Sequence, residues 1–341
     1  MTMGSSLTCV SVDCPRIFLF QPPSLAGNAV LLAFFTILIP IALALGVKYK
    51  SPGFTTFIAT GLALEAVGYV GRLLLRNNQN NPTYFAIFLT GTTLGPTCIC
   101  GAMFSVVPRI IAIYGEEYRS WRPVWYLLLL SALTIASLAL ELVGSVVSTT
   151  QEAPTVVEAG IRLLVVGLAI QLVALSIFAL HATLFTITLR TRQHNLDPKF
   201  APVYTSTLFK ISLAAFIVAT ALILLRTIFR TIQIVEGFQS SIAQAETHFL
   251  LLDGVIMLIT SVLFLACFPA RALGEYWPDT LVRRPSPKPL QLTHQTPGQP
   301  PVTRPSPTYS AISMKYPMST YSPRKASYWA SPSLVENDKL W

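Results

Sequence analysis

The sequence predicts an all-α integral membrane protein: a bundle of seven transmembrane helices with an extracellular N-terminus, a cytosolic C-terminus and a disordered C-terminal tail. Seven apolar stretches, each close to the length of a bilayer span, divide residues 24–270. About 20 helical residues, rising about 1.5 Å each, cross a hydrocarbon core of about 30 Å. The chain is 52% hydrophobic and only 11% charged, whereas ordinary soluble domains contain about 25% charged residues. These observations exclude a soluble globular protein.

The apolar stretches place the seven helices in order along the chain. The predicted spans are residues 25–47, 54–75, 84–114, 124–147, 159–189, 208–234 and 249–268. Prolines lie within the first and third spans, at Pro40, Pro96 and Pro108. Each proline removes a backbone hydrogen bond, so we expect these two helices to bend.

The lysines and arginines of the connections lie almost entirely on one side of the predicted membrane. The odd-numbered connections and the near part of the tail contain Lys48, Lys50, Arg119, Arg122, Arg190, Arg192, Lys199, Arg271, Arg283, Arg284 and Lys288. The N-terminal segment and the even-numbered connections contain only Arg16 and Arg76. The positive-inside rule therefore predicts that the N-terminus is outside and the C-terminus is in the cytosol, and we expect the plasma membrane as the location.

This orientation also explains the net charge of +9 and the pI near 9.4. Basic residues on the cytosolic side contact anionic lipid head groups, so membrane lipids are expected partners. The sequence has no basic face with interleaved aromatic residues, and we therefore do not expect nucleic-acid binding.

Two terminal segments flank the predicted helical domain of residues 24–270. Residues 1–23 form a short extracellular segment, in which Cys9 and Cys14 are candidates for a disulfide because that compartment is oxidising. Residues 271–341 are rich in proline and serine and lack apolar periodicity, so we expect a disordered cytosolic tail. Its Ser-Pro pairs and residues 284–289 (R-P-S-P-K-P) offer sites for kinases or SH3-like partners. A plain solvated tail explains the same composition.

Several enzyme classes lack their signatures in this sequence. There is no G-x-x-x-x-G-K-[ST] phosphate loop and no H-E-x-x-H zinc motif. The four histidines, His181, His194, His248 and His294, are scattered without metal-ligand spacing. No nucleophile and base form a pair that could support an intramembrane hydrolase. We therefore expect no catalytic residue, no metal, no cofactor and no enzymatic role.

Residues at helical spacing, polar side chains together with glycines and Met257, form one stripe in each of five spans. They are Glu65, Tyr69 and Arg72 in the second span; Thr134, Ser137, Glu141 and Gly144 in the fourth; Gly160, Gly167 and Gln171 in the fifth; Arg226, Arg230 and Gln233 in the sixth; and Glu246, Asp253 and Met257 in the seventh. A charge in hydrocarbon costs at least about 2.5–3.5 kcal/mol on insertion scales. We therefore expect each stripe to face the interior of the bundle.

The charged residues of the spans fall in the outer half of the predicted membrane. The arginines are Arg72, Arg162, Arg226 and Arg230, and the carboxylates are Glu141, Glu246 and Asp253, with Glu65 near the midplane. Two interpretations fit this set. The charges form internal ion pairs that fix the helix register, or they line a partly wet chamber that opens to the outer leaflet and holds the head group of an amphiphile.

The order of these motifs resembles a known family. Residues 65–72 (E-A-V-G-Y-V-G-R) are similar to the E-x-x-G-Y-x-x-R signature of the RTA-like fungal lipid-translocating exporters, named for resistance to aminocholesterol. Further similarities are residues 23–28 (P-S-L-A-G-N), Pro96, Arg109, Ser137, Gly144, Gly160, Gly167, Gln171, Arg226, Arg230, Gly237, Glu246 and Asp253. The resemblance covers residues 22–269 and leaves out the tail.

This resemblance implies export or leaflet translocation of amphiphilic lipids, such as sphingoid long-chain bases, or of toxic amphiphiles. Porphyrin or haem transport is an alternative within the same family. A third interpretation belongs to another class: a seven-helix receptor-like sensor that signals through its cytosolic tail.

The chain departs from the family pattern at five positions. The family favours Asp at Thr134, Gln at Glu141, Glu at Gln233, Tyr at Phe104 and His at Phe268. Two of these departures form an apparent exchange, because a carboxylate is lost at position 233 and gained at position 141. If the fourth and sixth helices face each other, this exchange preserves the charge of the interior.

Overall fold

The computed structural model describes residues 19–114, 123–191 and 200–277 of the 341-residue chain. Cys9, Cys14 and the Ser-Pro tail lie outside these ranges. In the described part of the chain there are no strands, and seven helices are long and apolar enough to cross a membrane. The predicted fold class, an all-α integral membrane protein with seven spanning helices, is confirmed.

The spanning helices are α1 Leu25–Lys48, α2 Pro52–Asn77, α3 Pro82–Tyr114, α4 Pro123–Thr150, α5 Pro154–Thr191, α6 Thr207–Val235 and the composite α7, Glu246–Tyr276. Helices α2 to α5 each begin at a proline, whose fixed φ and missing N–H suit the first helical turn. They begin one to five residues before the predicted apolar stretches. Hydropathy detects the hydrocarbon core, and the helices continue beyond it.

The seven helices pack as a closed ring in sequence order. Each of α1 to α6 contacts the next helix, and α7 returns to contact α1. The third helix also contacts α5 and α6, and it is the most buried of the seven. It therefore lies at the centre of the bundle, where its side chains face several neighbours.

Glycines bring pairs of helices close together. A Cβ atom added to Gly91 of α3 would lie 2.5 Å from Cα of Gly68 in α2. A Cβ atom added to Gly144 of α4 would lie 2.5 Å from the backbone nitrogen of Leu164 in α5. Small residues at such crossings are typical of membrane helices, whose association depends on close packing.

Consecutive spans run in opposite directions, so the bundle has two ends. We call the end where α1 begins the N-terminal face and the end where α1 finishes the C-terminal face. Which face is extracellular remains the prediction made above from the basic residues.

The seventh span is not a uniform α-helix. It consists of a turn, Glu246–His248, a π-helical segment, Phe249–Val255, and an α-helical segment, Ile256–Ala266. A short helix, Pro269–Leu273, and a 3₁₀ turn follow a break at Cys267. Short π-helical segments are often found at functional sites, and this one carries Asp253.

Candidate functional site

The centre of the polar interior is an ion pair between α6 and α7. Arg226 Nε donates a hydrogen bond to Asp253 Oδ1 at 2.5 Å, and both side chains are buried. Arg226 Nη2 donates to the backbone carbonyl of Thr92 in α3. The Arg226 side chain therefore joins three helices at one point.

One turn further along α6, Arg230 has neutral partners. Its Nη1 donates to Gln233 Oε1 at 2.7 Å, and its Nη2 donates to Thr92 Oγ1 at 3.0 Å and Thr93 Oγ1 at 3.4 Å. The arginine and Gln233 are both buried. Hydroxyl and amide oxygens thus solvate a guanidinium that has no carboxylate within salt-bridge distance in the described ranges.

Two further buried side chains of the cluster, Glu65 and Tyr69, lie on α2. Neither carboxylate oxygen of Glu65 nor the Tyr69 hydroxyl has a hydrogen-bond partner among the described residues. The Glu65 charge is repelled by Asp253 and attracted by Arg226 and Arg230. Because a buried polar group without a partner is costly, Glu65 is the side chain of the cluster best suited to accept a proton or a ligand donor.

A second group of contacts closes the N-terminal face. The guanidinium of Arg72 lies 4.0 Å from Glu246 Oε1 and stacks over the ring of Phe249 at 3.9 Å. The same Glu246 oxygen accepts from the backbone N–H of Ser24 at 2.6 Å and from Asn28 Nδ2 at 3.2 Å. Glu246 thereby connects the start of α1 to the start of α7.

The remaining polar residues lie on the far side of α3. Glu141 accepts from Thr97 Oγ1 and from Ser137 Oγ, each at 2.7 Å, so both of its carboxylate oxygens are satisfied. Gln171 of α5 donates from Nε2 to the Cys100 sulfur at 3.5 Å. These contacts connect α3, α4 and α5.

Glu141 and Gln233, the two positions of the apparent exchange, have different hydrogen-bond partners. Glu141 is bonded to α3 and to its own helix, whereas Gln233 is bonded to Arg230. Helix α4 packs against α3 and α5, and α3 supplies partners on both of its sides. The acid and the amide therefore occupy separate hydrogen-bond networks.

Two arginines lie outside the cluster. Arg162 was expected among the interior charges, but its side chain is 75% exposed and pairs with Glu158 at 2.6 Å on the same helix. It lies near the beginning of α5, on a face other than that of Gly160, Gly167 and Gln171. Arg109, one of the positions that resemble the family, donates to the backbone carbonyl of Trp277 at 3.0 Å and stacks on its ring.

The cluster is packed tightly at the N-terminal face. A cavity of about 20 Å³ lies beside Arg72, Arg230, Gln233 and Phe249. That volume holds about one water molecule and is too small for a lipid head group. In this conformation Arg226 is paired with Asp253 and Arg72 with Glu246, and a chamber for a head group would require the helices to separate.

Sequence reasoning missed the residues that bridge the cluster. They are threonines of α3: Thr92 and Thr93 accept hydrogen bonds from Arg226 and Arg230, and Thr97 donates one to Glu141. Their presence in an apolar span was a usable signal, since three hydroxyls within six residues need partners. Within the described ranges, no group of three or more histidine, cysteine or acidic side chains could hold a metal ion.

Comparison with known proteins decides the family. The family described as RTA1 like protein matches residues 58–276, which contain most of α2 and all of helices α3 to α7. The chain belongs to the RTA1-like family. This match includes every candidate side chain from Glu65 to Asp253.

Relatives in the RTA1-like family come from Saccharomyces cerevisiae. The sphingoid long-chain base transporter RSB1 is 24% identical over 296 residues, covering 76% of both chains. Protein RTA1 is 21% identical over 210 residues, which are 61% of this chain and 63% of its own. Protoporphyrin uptake protein 1 is 24% identical over 218 residues, which are 60% and 65% of the two chains. No solved structure matches this chain significantly.

Proposed function

We propose that this RTA1-like protein translocates amphiphilic lipids, such as sphingoid long-chain bases, across the membrane and acts as a transporter rather than an enzyme. The relative named as a sphingoid long-chain base transporter aligns over 76% of the chain and supports this substrate class. The polar side chains of α2, α3, α6 and α7 would offer a head group partners within the hydrocarbon once these helices separate. The alkyl chain of the substrate remains among apolar side chains and lipid.

The observation that carries the proposal is the unpartnered carboxylate of Glu65. A sphingoid base carries an ammonium group, and an ammonium has three N–H donors. Glu65 offers two buried acceptor oxygens that no described residue uses. A head group that reached Glu65 would satisfy a carboxylate that is otherwise costly to bury.

The direct test is a flux assay with the purified protein in liposomes. A fluorescent sphingoid base is added on one side, and its appearance in the other leaflet is followed by a quencher. We expect faster transfer than in protein-free liposomes and slower transfer with Glu65→Gln. Transfer at the protein-free rate by the wild-type protein would contradict the proposal.

Porphyrin transport is a second candidate, supported by the relative named as a protoporphyrin uptake protein. Arg72 and Arg230 line the cavity at the N-terminal face, and guanidinium groups bind carboxylates such as those of a porphyrin. The same liposomes, loaded with a porphyrin in place of the sphingoid base, distinguish the two substrates.

The interpretation as a receptor-like sensor depends on the tail, which lies outside the described residues. Truncation after Trp277 preserves the contact of that residue with Arg109 and removes the Ser-Pro segment. We propose that the truncated protein retains its transport, whereas a sensor that signals through the tail would lose its output. We further propose an extracellular N-terminus and residence in the plasma membrane.

A further inference from the structure

A large apolar groove lies away from the charged cluster, between α3, α5 and α6. Its volume is about 530 Å³, many times that of the cavity beside Arg72. The walls are formed by residues 107–111 of α3, 178–187 of α5 and 213–224 of α6. Helix α5 packs extensively on α4 but much less on α6, so the groove marks the place where α5 and α6 separate.

The polar side chains that line the groove are His181 and three threonines. Thr183 and Thr186 each donate a hydrogen bond to a carbonyl of α5 at 2.8 Å, and Thr220 donates to Phe216 O at 2.7 Å. Their hydroxyls are therefore satisfied within their own helices, and mainly methyl groups face the groove. Water finds few hydrogen-bond partners in such a space, whereas an alkyl chain makes dispersion contacts with its walls.

The length of the groove corresponds to the thickness of one leaflet. Along α6 the groove extends from Leu213 to Leu224, a length of about 16 Å at 1.5 Å per residue. That is about half of a hydrocarbon core of about 30 Å. Because α6 begins at the C-terminal face, the groove occupies that half of the bundle and ends two residues before Arg226.

The groove is large enough for an alkyl chain. A volume of about 530 Å³ over this length corresponds to a mean cross-section of roughly 30 Å², which accommodates the single chain of the proposed sphingoid base. The groove opens to the membrane beside Ile187 of α5, 54% exposed, and Ile217 of α6, 53% exposed, both of which line it. A lipid can therefore enter sideways from its own leaflet.

We infer that this groove binds the alkyl chain of a single-chain amphiphile held in the leaflet at the C-terminal face. The inference rests on the proposed translocation and adds a chain site and a leaflet of origin to it. With the chain in the groove, the substrate lies at the depth where the polar cluster begins, since Arg226 follows the last groove residue of α6 by two positions. The groove would thus hold the chain while the head group crosses.

Photochemical labelling tests the site without requiring transport. A sphingoid base with a diazirine in its alkyl chain is added to liposomes that contain the full-length protein, irradiated, and the labelled peptides are mapped. We expect labels within residues 178–187 and 213–224. Labels confined to other helices would overturn the inference. Equal or stronger labelling by a phosphatidylcholine with the same diazirine would also overturn it, since the groove would then hold a structural lipid.

Groove-filling substitutions provide matched variants on two walls. Ala182 and Ala221 line the groove on α5 and α6, whereas Leu180 and Val218 of the same helices do not line it and are exposed. Ala182→Trp and Ala221→Phe should lower labelling about tenfold because added volume excludes the chain. Leu180→Trp and Val218→Phe should leave labelling unchanged. Equal labelling in filled and control variants of the same thermal stability would contradict the site.

The labelling and flux measurements distinguish failure of the chain site from failure of translocation. Labels in the groove without flux by the wild-type protein would sustain the chain site and reject translocation. Flux with labels only outside the groove would sustain translocation and reject the chain site.

Discussion

Arg226 and Asp253 form a buried ion pair, with Nε of the arginine 2.5 Å from Oδ1 of the aspartate, and the pair joins α6 to the π-helical segment of α7. Neither side chain reaches the surface. Removal of one partner would leave the other charge unpaired in a setting of low dielectric constant. The pair is therefore the contact of the interior most sensitive to substitution.

We predict that Arg226→Ala or Asp253→Ala destabilises the folded protein by about 3–5 kcal/mol. Exchange of the two charges, Arg226→Asp with Asp253→Arg, should recover part of the loss because the ion pair is restored. Arg162→Ala is the control, since it removes an exposed pair with Glu158 and should cost about 0.5 kcal/mol or less. Thermal stability in detergent measures all four variants. Wild-type stability in both single variants would show that the pair is not buried.

Glu65→Gln should preserve the stability of the folded protein, whereas Asp253→Asn should lower it. Glu65 is buried and has no hydrogen-bond partner among the described residues, so a neutral side chain of equal size removes a charge that is costly to bury. We expect a stability within about 1 kcal/mol of wild type or above it, together with reduced lipid flux. Asp253→Asn leaves Arg226 without a counter-charge and should lower stability. A large loss of stability in Glu65→Gln alone would mean that its oxygens have partners in the membrane.

Gly91→Ala should separate α2 from α3. The added methyl group would lie 2.5 Å from Cα of Gly68, which is backbone and cannot move aside. Overpacking of this kind costs about 1–3 kcal/mol. Gly53→Ala is the control, since its added Cβ meets no atom within 4 Å, and thermal stability should stay near that of wild type. Equal stability of the two variants would contradict the close crossing.

Glu141→Gln and Gln233→Glu should act independently. Glu141 accepts from Thr97 and Ser137, and Gln233 accepts from Arg230, so the two positions share no hydrogen-bond partner. A double-mutant cycle should be additive within about 0.3–0.5 kcal/mol. A larger coupling energy in detergent would restore the direct exchange between helices four and six that the sequence suggested.

The orientation of the bundle can be tested with a tag at each end of the chain. The excess of basic residues beyond the C-terminal face predicts that this face is cytosolic. Protease added to intact cells should digest a tag at the N-terminus and leave a tag after Trp341 intact until the membrane is permeabilised. The reverse pattern would invert the assignment of the leaflets and of the groove.

The number and order of the helices could be predicted because the bilayer restricts the chain so strongly. A span needs an apolar stretch of limited length, and charges within it must face inward. Glu65, Arg72, Arg226, Arg230 and Asp253 were expected in the interior on this ground alone, and the structure buries each of them.

The pairing of those charges could not be predicted, because it depends on which helices adjoin. The central position of α3 separates Glu141 from Gln233 and supplies threonine partners to both sides. The predicted depth of Arg162 in the membrane did not show whether its side chain faces the interior. This residue lies close to a helix end, where it reaches the surface and pairs with Glu158. Hydropathy cannot distinguish that position from an interior one.

The π-helical segment of α7 has a consequence for how the carboxylates of this helix could change neighbours. Glu246 and Asp253 are seven residues apart, a separation that places two side chains on one face of a regular α-helix. Here Glu246 contacts α1 and Asp253 contacts α6. A slip of one residue rotates a helix by about 100°, so migration of the π turn along α7 would transfer a carboxylate from one neighbour to another. Such a slip exchanges partners by rotating a few residues, while the helix axes stay in place.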